Sequence, residues 1–398
     1  MDIVFLGYIL FQLLLCGHLV FPTVLSLLGK RRNLKSESWE DESLMQPDYA
    51  IIVTYYERLD FLSSLVDSVN QLNYENYVVY IVADNFKGEF VDIESDCQKI
   101  KLLFPESPLK SNVRSHLFAF NSFIREHDRI TIIDGDNLIH PDYLVNLNRA
   151  FDRGFIAVQG SRYPKNLDTD YARLDAVGDL YYRYTDRKLL FEAGSSSTLS
   201  GSGMAFEKVV YENFIANYTM EGAGFDKVLQ YELVKNKYRI AFCGEAIVYD
   251  HKTDNSDQLV KQRARWMSTW FRTYKHANVL FFKSIKALDL NGFLFSIVLL
   301  RPPLFIIILL AILFTVFNII YVPFLLLIWM IAGAFFLKTF FNGIKELGAT
   351  DSMLSSIKRS YRFIFSQFLA LLNIRRANKL SVATDHTLKL KEENKIIR

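Results

Sequence analysis

Two apolar blocks flank a stretch of mixed, alternating pattern in this chain. Residues 3 to 29 run almost without charge, from Ile3 to Gly29, and Lys30-Arg31-Arg32 follows at once. The run is too long for the apolar region of a secretory leader, and the basic cluster follows it where a leader would put its charge first. The pattern predicts a spanning helix over 1–29, with the basic flank and everything after it in the cytosol. A polar, acidic linker continues to residue 47. From 48 the pattern is that of an α/β domain. Val-, Ile- and Tyr-rich runs from Ala50 to Tyr56 and from Tyr77 to Asp84 predict strands. Between them Leu62, Leu65, Val66, Val69 and Leu72 recur at helical spacing. Leu117, Phe120, Phe123 and Ile124 mark another helix before a strand from Arg129 to Ile133. Further strands are expected from Phe155 to Gln159 and from Arg239 to Tyr249. Strands alternating with helices imply a mostly parallel sheet with ligands at its carboxyl edge.

The second apolar block starts near Asn291. Residues 304–319 and 322–337 are almost pure Leu, Ile, Phe and Val around Tyr321 and Pro323, which predicts a transmembrane hairpin of short arms. Before it, residues 278–300 mix Lys283, Lys286 and Asp289 with Phe and Leu, as an interfacial helix does. From Met353 to Leu372, Lys358, Arg359 and Arg362 accompany Ile357, Phe363, Phe365 and Leu371. That segment fits either a second interfacial helix or an amphipathic helix on the catalytic domain. The chain thus divides into a spanning helix (1–29), a linker (30–47), a catalytic domain (48–275), an interfacial helix (276–303), a hairpin (304–338) and a cytosolic tail (339–398).

Composition changes this picture little. A net charge of +3 over 398 residues gives no footprint for nucleic acid. Three cysteines, unrelated by spacing, make no disulfide framework and fit a reducing compartment.

The chemistry sits in a few short motifs. Asp134 and Asp136 of Ile133-Asp134-Gly135-Asp136 lie two apart in an extended segment, so both carboxylates point the same way and offer hard oxygens to a divalent cation. Gln262, Arg265 and Trp266 have the i, i+3, i+4 spacing that puts side chains on one helix face. A guanidinium beside an indole suits a phosphate leaving group and a stacked sugar ring. Asp226 opens a helical stretch with Val228, Leu229 and Leu233 inward; it is either a base or a helix cap. Gly203 in Gly201-Ser202-Gly203 permits close backbone approach to a ligand. His251, after a strand, is either a metal ligand or structural.

Taken in order, Ile51 to Glu57, Ile81 to Asn85, Asp134-Gly135-Asp136, Gly201 to Phe206, Phe225 to Leu229 and Gln262 to Trp266 resemble glycosyltransferase family 2. The resemblance is to the branch of membrane β-glycan synthases (cellulose, hyaluronan, chitin, poly-N-acetylglucosamine) and ceramide glucosyltransferases, and it spans residues 48–275. It implies a GT-A type nucleotide-sugar-binding domain, mostly parallel in its sheet, with N- and C-terminal transmembrane helices. Asp84 would accept from a uracil imide, with Thr54 and Glu57 holding base and ribose. Asp136 would be the more direct ligand of Mg²⁺ or Mn²⁺, with His251 a further candidate and Asp134 nearer the sugar or ribose. Asp226 would be the base, Arg265 would face the diphosphate, and Trp266 the acceptor. One of Lys110, Arg114 and His116 would stand near the phosphates. The sequence departs from the family at Tyr56, usually Asn, and at Phe225, usually Glu before the Asp.

The function implied is inverting, metal-assisted transfer from a UDP-sugar to a glycan or lipid hydroxyl, giving a β-linkage. It involves membrane lipid and no nucleic acid, and export of a polymer through so few spans would need accessory or oligomeric partners. A silent scaffold that binds a nucleotide sugar or a partner synthase is the alternative, and a nucleotidyltransferase a further rival that leaves Gln262 to Trp266 without a role.

Overall fold

The computed structural model describes residues 3–32, 46–88, 99–220 and 222–374; most of the linker lies outside them. The chain divides into two units. Described residues of the first are 3–32, 169–195 and 254–374; those of the second are 46–88, 99–168, 196–220 and 222–253.

The second unit is built on one eight-stranded sheet. Its strands are β1 (Tyr49–Tyr56), β2 (Tyr77–Asp84), β3 (Ile100–Leu103), β4 (Arg129–Asp134), β5 (Leu138–Ile139), β6 (Ala157–Pro164), β7 (Met204–Glu207) and β8 (Ala241–Asp250). They lie in the order β3-β2-β1-β4-β7-β6-β8-β5. The β3-β2-β1-β4 run is parallel, as is β6-β8; β7 is antiparallel to both its neighbours, and β5 to β8. Every residue of β2 is buried, because a parallel strand covered on both faces needs a continuous apolar run. Helices Leu62–Asn70, Asn112–Asn121 and Tyr143–Phe151 supply the cover. The predicted strands are all present with small shifts at their ends; β3, β5 and β7 are additions.

Between Gln159 and Ser161 the β6–β8 register slips, and Gly160 stands at the slip. A Cβ there would lie 2.3 Å from the Ala246 carbonyl oxygen and 3.1 Å from that of Gly203. Neither backbone group can rotate away. Gly160→Ala is therefore expected to cost about 1–3 kcal/mol of stability, the range for overpacking. Thermal unfolding of the detergent-solubilised protein would show it, and an unchanged midpoint would refute it.

The first unit is helical. Among the described residues three helices are long and apolar enough to cross a membrane: Ile3–Arg32, Leu304–Tyr321 and the segment Pro323–Glu346. The last runs past residue 338, where the hydropathy pattern placed its end. Asn318, wholly buried, donates to Gln12 Oε1 at 2.7 Å, and the Trp329 indole donates to the same oxygen at 2.8 Å. One buried acceptor thus ties all three helices, a pairing that apolar surroundings favour.

The expected interfacial segment is two helices. Ser256–Lys286 runs unbroken through residue 275, and Leu290–Leu300 follows. The second ends because Arg301 precedes Pro302, which drives it to ψ 124°. Helix Ser360–Leu372 packs Phe363 against Leu174 and Leu259 of its own unit, while Phe365 and Leu372 stay exposed. The sequence pattern predicted nothing for residues 170–192. They form helix Asp170–Tyr182, a π-helical stretch Arg183–Leu189 and a final turn Leu190–Glu192.

Candidate active site

The parallel strands end together, and their register assembles the first group of residues. Thr54 on β1 is level with Val82 on β2 and with Asp134 on β4, and Tyr56 is level with Asp84. Beyond β1 the chain turns at Glu57, at φ 63°. The Glu57 carboxylate accepts from Lys87 Nζ at 2.6 Å and from Asn85 Nδ2 at 3.0 Å, which clasps the ends of β1 and β2 together. Asp84 is buried, and its two oxygens accept from the backbone N–H groups of Leu109 and Lys110, each at 2.7 Å. Asp84 therefore fixes the loop that leads into helix Asn112–Asn121. Each carboxylate oxygen has a second lone pair, so acceptor capacity remains.

Among the three residues considered for the phosphates, His116 is ruled out. It is fully buried, its Nδ1 lies 2.6 Å from the Tyr211 hydroxyl, and burial pushes its pKa down to about 3. A neutral, enclosed imidazole supplies no cation.

The Asp134-Gly135-Asp136 turn is held from two sides. A Cβ on Gly135 would fall 2.6 Å from the buried Tyr55 ring, so the turn needs its glycine. Ser202 Oγ accepts from the Asp134 N–H at 3.0 Å and from Asn137 Nδ2 at 2.7 Å. The Gly201-Ser202-Gly203 segment is thereby joined to the acidic turn. Both glycines have positive φ, 87° and 67°. The side chain of Gln159 braces that segment from β6: its Nε2 donates to the carbonyls of Ser202 and Gly203, and its Oε1 accepts from the Ser200 N–H.

The charges here are crowded. Enclosure, Asp136, and then Asp250 and Asp226 push the Asp134 pKa up to about 7, against the opposing pull of Arg162. Asp250 ends β8, 2.9 Å from Lys252 Nζ and 3.7 Å from Arg162 Nε. His251, between them in sequence, is buried. Asp226 is half-buried in the first turn of helix Phe225–Lys235. It is not the cap: Gly224, at φ 103°, holds that position. Lys227 Nζ lies 3.1 Å from Asp226 Oδ2.

Gln262, Arg265 and Trp266 stand on helix Ser256–Lys286 in the first unit. Gln262 and Arg265 are half-buried, and Trp266 is exposed. The guanidinium over the Trp266 ring is that of Arg263, 4.1 Å from the centroid, and Arg263 is itself ion-paired to Asp175. The sequence reading missed Arg162, Asp250, Lys252, Gln159 and Lys227. Lys227 lies inside the Phe225 to Leu229 motif without a role of its own there; the other four form no motif, and only the sheet order brings β6 and β8 beside the acids.

Among the described residues no cluster of three or more His, Cys, Asp or Glu side chains forms a cage for a metal. The donor set does fit a cation that takes its remaining ligands elsewhere. Burial and then the neighbouring Asp136 raise the Asp134 pKa, and Mg²⁺ is commonly held by one or two carboxylates plus substrate phosphates.

A mixed sheet with paired acids after its central strand is the GT-A arrangement, that of enzymes using nucleotide-activated sugars. Residues 47–269 match the family described as Glycosyltransferase like family 2, and the chain belongs to it. It is a glycosyltransferase. Among solved structures it resembles the mannosyltransferase PcManGT from Pyrobaculum calidifontis in complex with GDP-Man and Mn²⁺. Identity there is 13%, with 92% of this chain and 97% of that chain covered, at a TM-score of 0.59. S. aureus TarS 1–349 in complex with UDP-GlcNAc aligns at 12% identity over 83% of this chain and 92% of that one, at a TM-score of 0.41. No curated protein matches the sequence.

Proposed function

We propose that this glycosyltransferase is an inverting, metal-assisted membrane enzyme of the β-glycan synthase and ceramide glucosyltransferase branch. It moves a sugar from a UDP-sugar to a hydroxyl of a glycan or lipid acceptor and makes a β-linkage. The observation that carries the reading is the position of Asp226. It is a half-buried carboxylate in the first turn of helix Phe225–Lys235, whose cap is Gly224, and it lies 3.1 Å from Lys227 Nζ.

Asp226 takes the proton from the acceptor hydroxyl as that oxygen attacks the anomeric carbon. With Asp226 as the base, the acceptor oxygen displaces the diphosphate in a single step and the anomeric centre inverts. Asp84, Thr54 and Glu57 hold the nucleoside, Asp134 the ribose or sugar, and Gly203 lets the backbone approach the sugar. Asp136, with His251 as a further ligand, holds Mg²⁺ or Mn²⁺. Once bound, the cation neutralises the departing diphosphate. The Mn²⁺ held by the Pyrobaculum mannosyltransferase supports this use of metal. On the motif alone, Arg265 and Gln262 act on the diphosphate and Trp266 on the acceptor.

Lys30-Arg31-Arg32 after the first apolar helix supports a cytosolic domain. Membrane vesicles of both orientations, supplied with UDP- and GDP-sugars, test donor and topology together. Release of UDP only where the cytosolic face is outward is expected. Release of GDP alone would overturn the donor, and activity confined to the opposite orientation would overturn the topology.

A further inference from the structure

Helix Phe225–Lys235 and the segment 199–203 are gripped together in a way that the transfer reaction does not by itself require. Lys227 and Gln230, three positions apart, share a face of that helix. Lys227 Nζ donates to the Leu199 carbonyl, and Gln230 Oε1 accepts from the Leu199 N–H at 2.9 Å. Both backbone groups of Leu199 are therefore held by one helix. The same Lys227 Nζ lies 3.1 Å from Asp226 Oδ2. At its other end the segment is fixed by Gln159, and Ser202 Oγ holds the Asp134 N–H at 3.0 Å. Hydrogen bonds at its two ends, joined by the backbone from 202 to 199, thus connect the acidic turn to the ammonium beside Asp226.

We propose that Lys227 is a positioning residue: it locks the Asp226 carboxylate to the strap 199–203, and so to the Asp134-Gly135-Asp136 turn, at a fixed separation between acceptor and donor. This deepens the reading of Asp226 as the base and rests on it. The contact removes the rotamer freedom of a side chain that must meet an acceptor hydroxyl. Its two partners are on different segments, so losing it frees the carboxylate and loosens the strap together.

The test compares Lys227→Met, Lys227→Gln and Lys227→Arg, each alone and with Asp226→Asn. Turnover, donor KM and calorimetric UDP affinity are measured on the full-length detergent-solubilised enzyme. Lys227→Met should lower turnover about 10- to 100-fold, the cost of misplacing a reacting group by an ångström or less, with donor KM and UDP affinity within about twofold. Lys227→Gln keeps a donor for the Leu199 carbonyl without the charge, and should retain the fold while losing turnover. Lys227→Arg should recover most of it. Because Lys227 acts through Asp226, Lys227→Met should cost little more once Asp226 is Asn. An equal fractional loss in both backgrounds would overturn the proposal, as would a loss confined to KM. Full turnover in Lys227→Met beside a crippled Asp226→Asn would overturn the brace alone. Full turnover in Asp226→Asn would remove the base and the brace with it.

Discussion

Asp226→Asn is expected to lower turnover by roughly 10² to 10⁴, the span of general-base catalysis, while UDP-sugar affinity stays nearly unchanged. The substitution is close to isosteric and keeps two hydrogen-bonding atoms, so neighbouring Lys227 retains an oxygen to face. Proton acceptance is lost, together with the negative charge that faces Lys227. The helix should survive, because its cap is Gly224 and no side-chain cap bond from Asp226 is removed. Calorimetry with UDP beside turnover assays separates the two effects. Loss of UDP binding with turnover intact at saturation would transfer Asp226 from the acceptor to the nucleotide and leave the reaction without its base.

That assignment could be approached from sequence because acids and strands leave different traces. β1 and β2 are near-continuous apolar runs, since both faces of a central parallel strand are covered, and a carboxylate after such a run stands out. The Asp134-Gly135-Asp136 turn stood out on that ground, whereas Asp84 was singled out by the order of the motifs. β7 was not, because Met204–Glu207 is four residues long and is defined by its antiparallel neighbours β4 and β6. β5, two residues long, leaves no period at all.

The segment 170–192 failed for a different reason. Its charges interrupt any apolar period, yet Arg183 is 1% exposed and Asp186 pairs with Arg301 at 2.6 Å. Buried charges are tolerated when paired, and the partner can be more than a hundred residues away, where no local pattern reports it. The braces around the site, Gln159, Ser202 and Lys227, share that property: each gains its role from a long-range bond. At Asp226 the structure speaks only to the cap: Gly224, at φ 103°, holds that position, which the sequence does not display.

Removing the divalent cation is expected to abolish UDP release, and added Mg²⁺ or Mn²⁺ should restore it. The physical ground is the charge balance at the acidic turn. Burial first and then Asp136 push the Asp134 pKa up to about 7, and Asp250 and Asp226 bear on the same carboxyl against the pull of Arg162. Bringing a nucleotide diphosphate to such a turn without a cation would set anion against anion. Asp136→Ala should therefore lose activity and also bind UDP more weakly, and metal should no longer strengthen that binding. Asp136→Asn keeps the shape and removes one charge, and is expected to fall between wild type and Ala in its metal requirement. Titrating UDP release against Mn²⁺ for the three proteins, with UDP binding measured in EDTA and in Mn²⁺, gives both readouts. Full activity of Asp136→Ala in EDTA would sink the metal reading. The Asp226 prediction would stand apart from that result, because a base acts on the acceptor hydroxyl whether or not a cation sits on the leaving group.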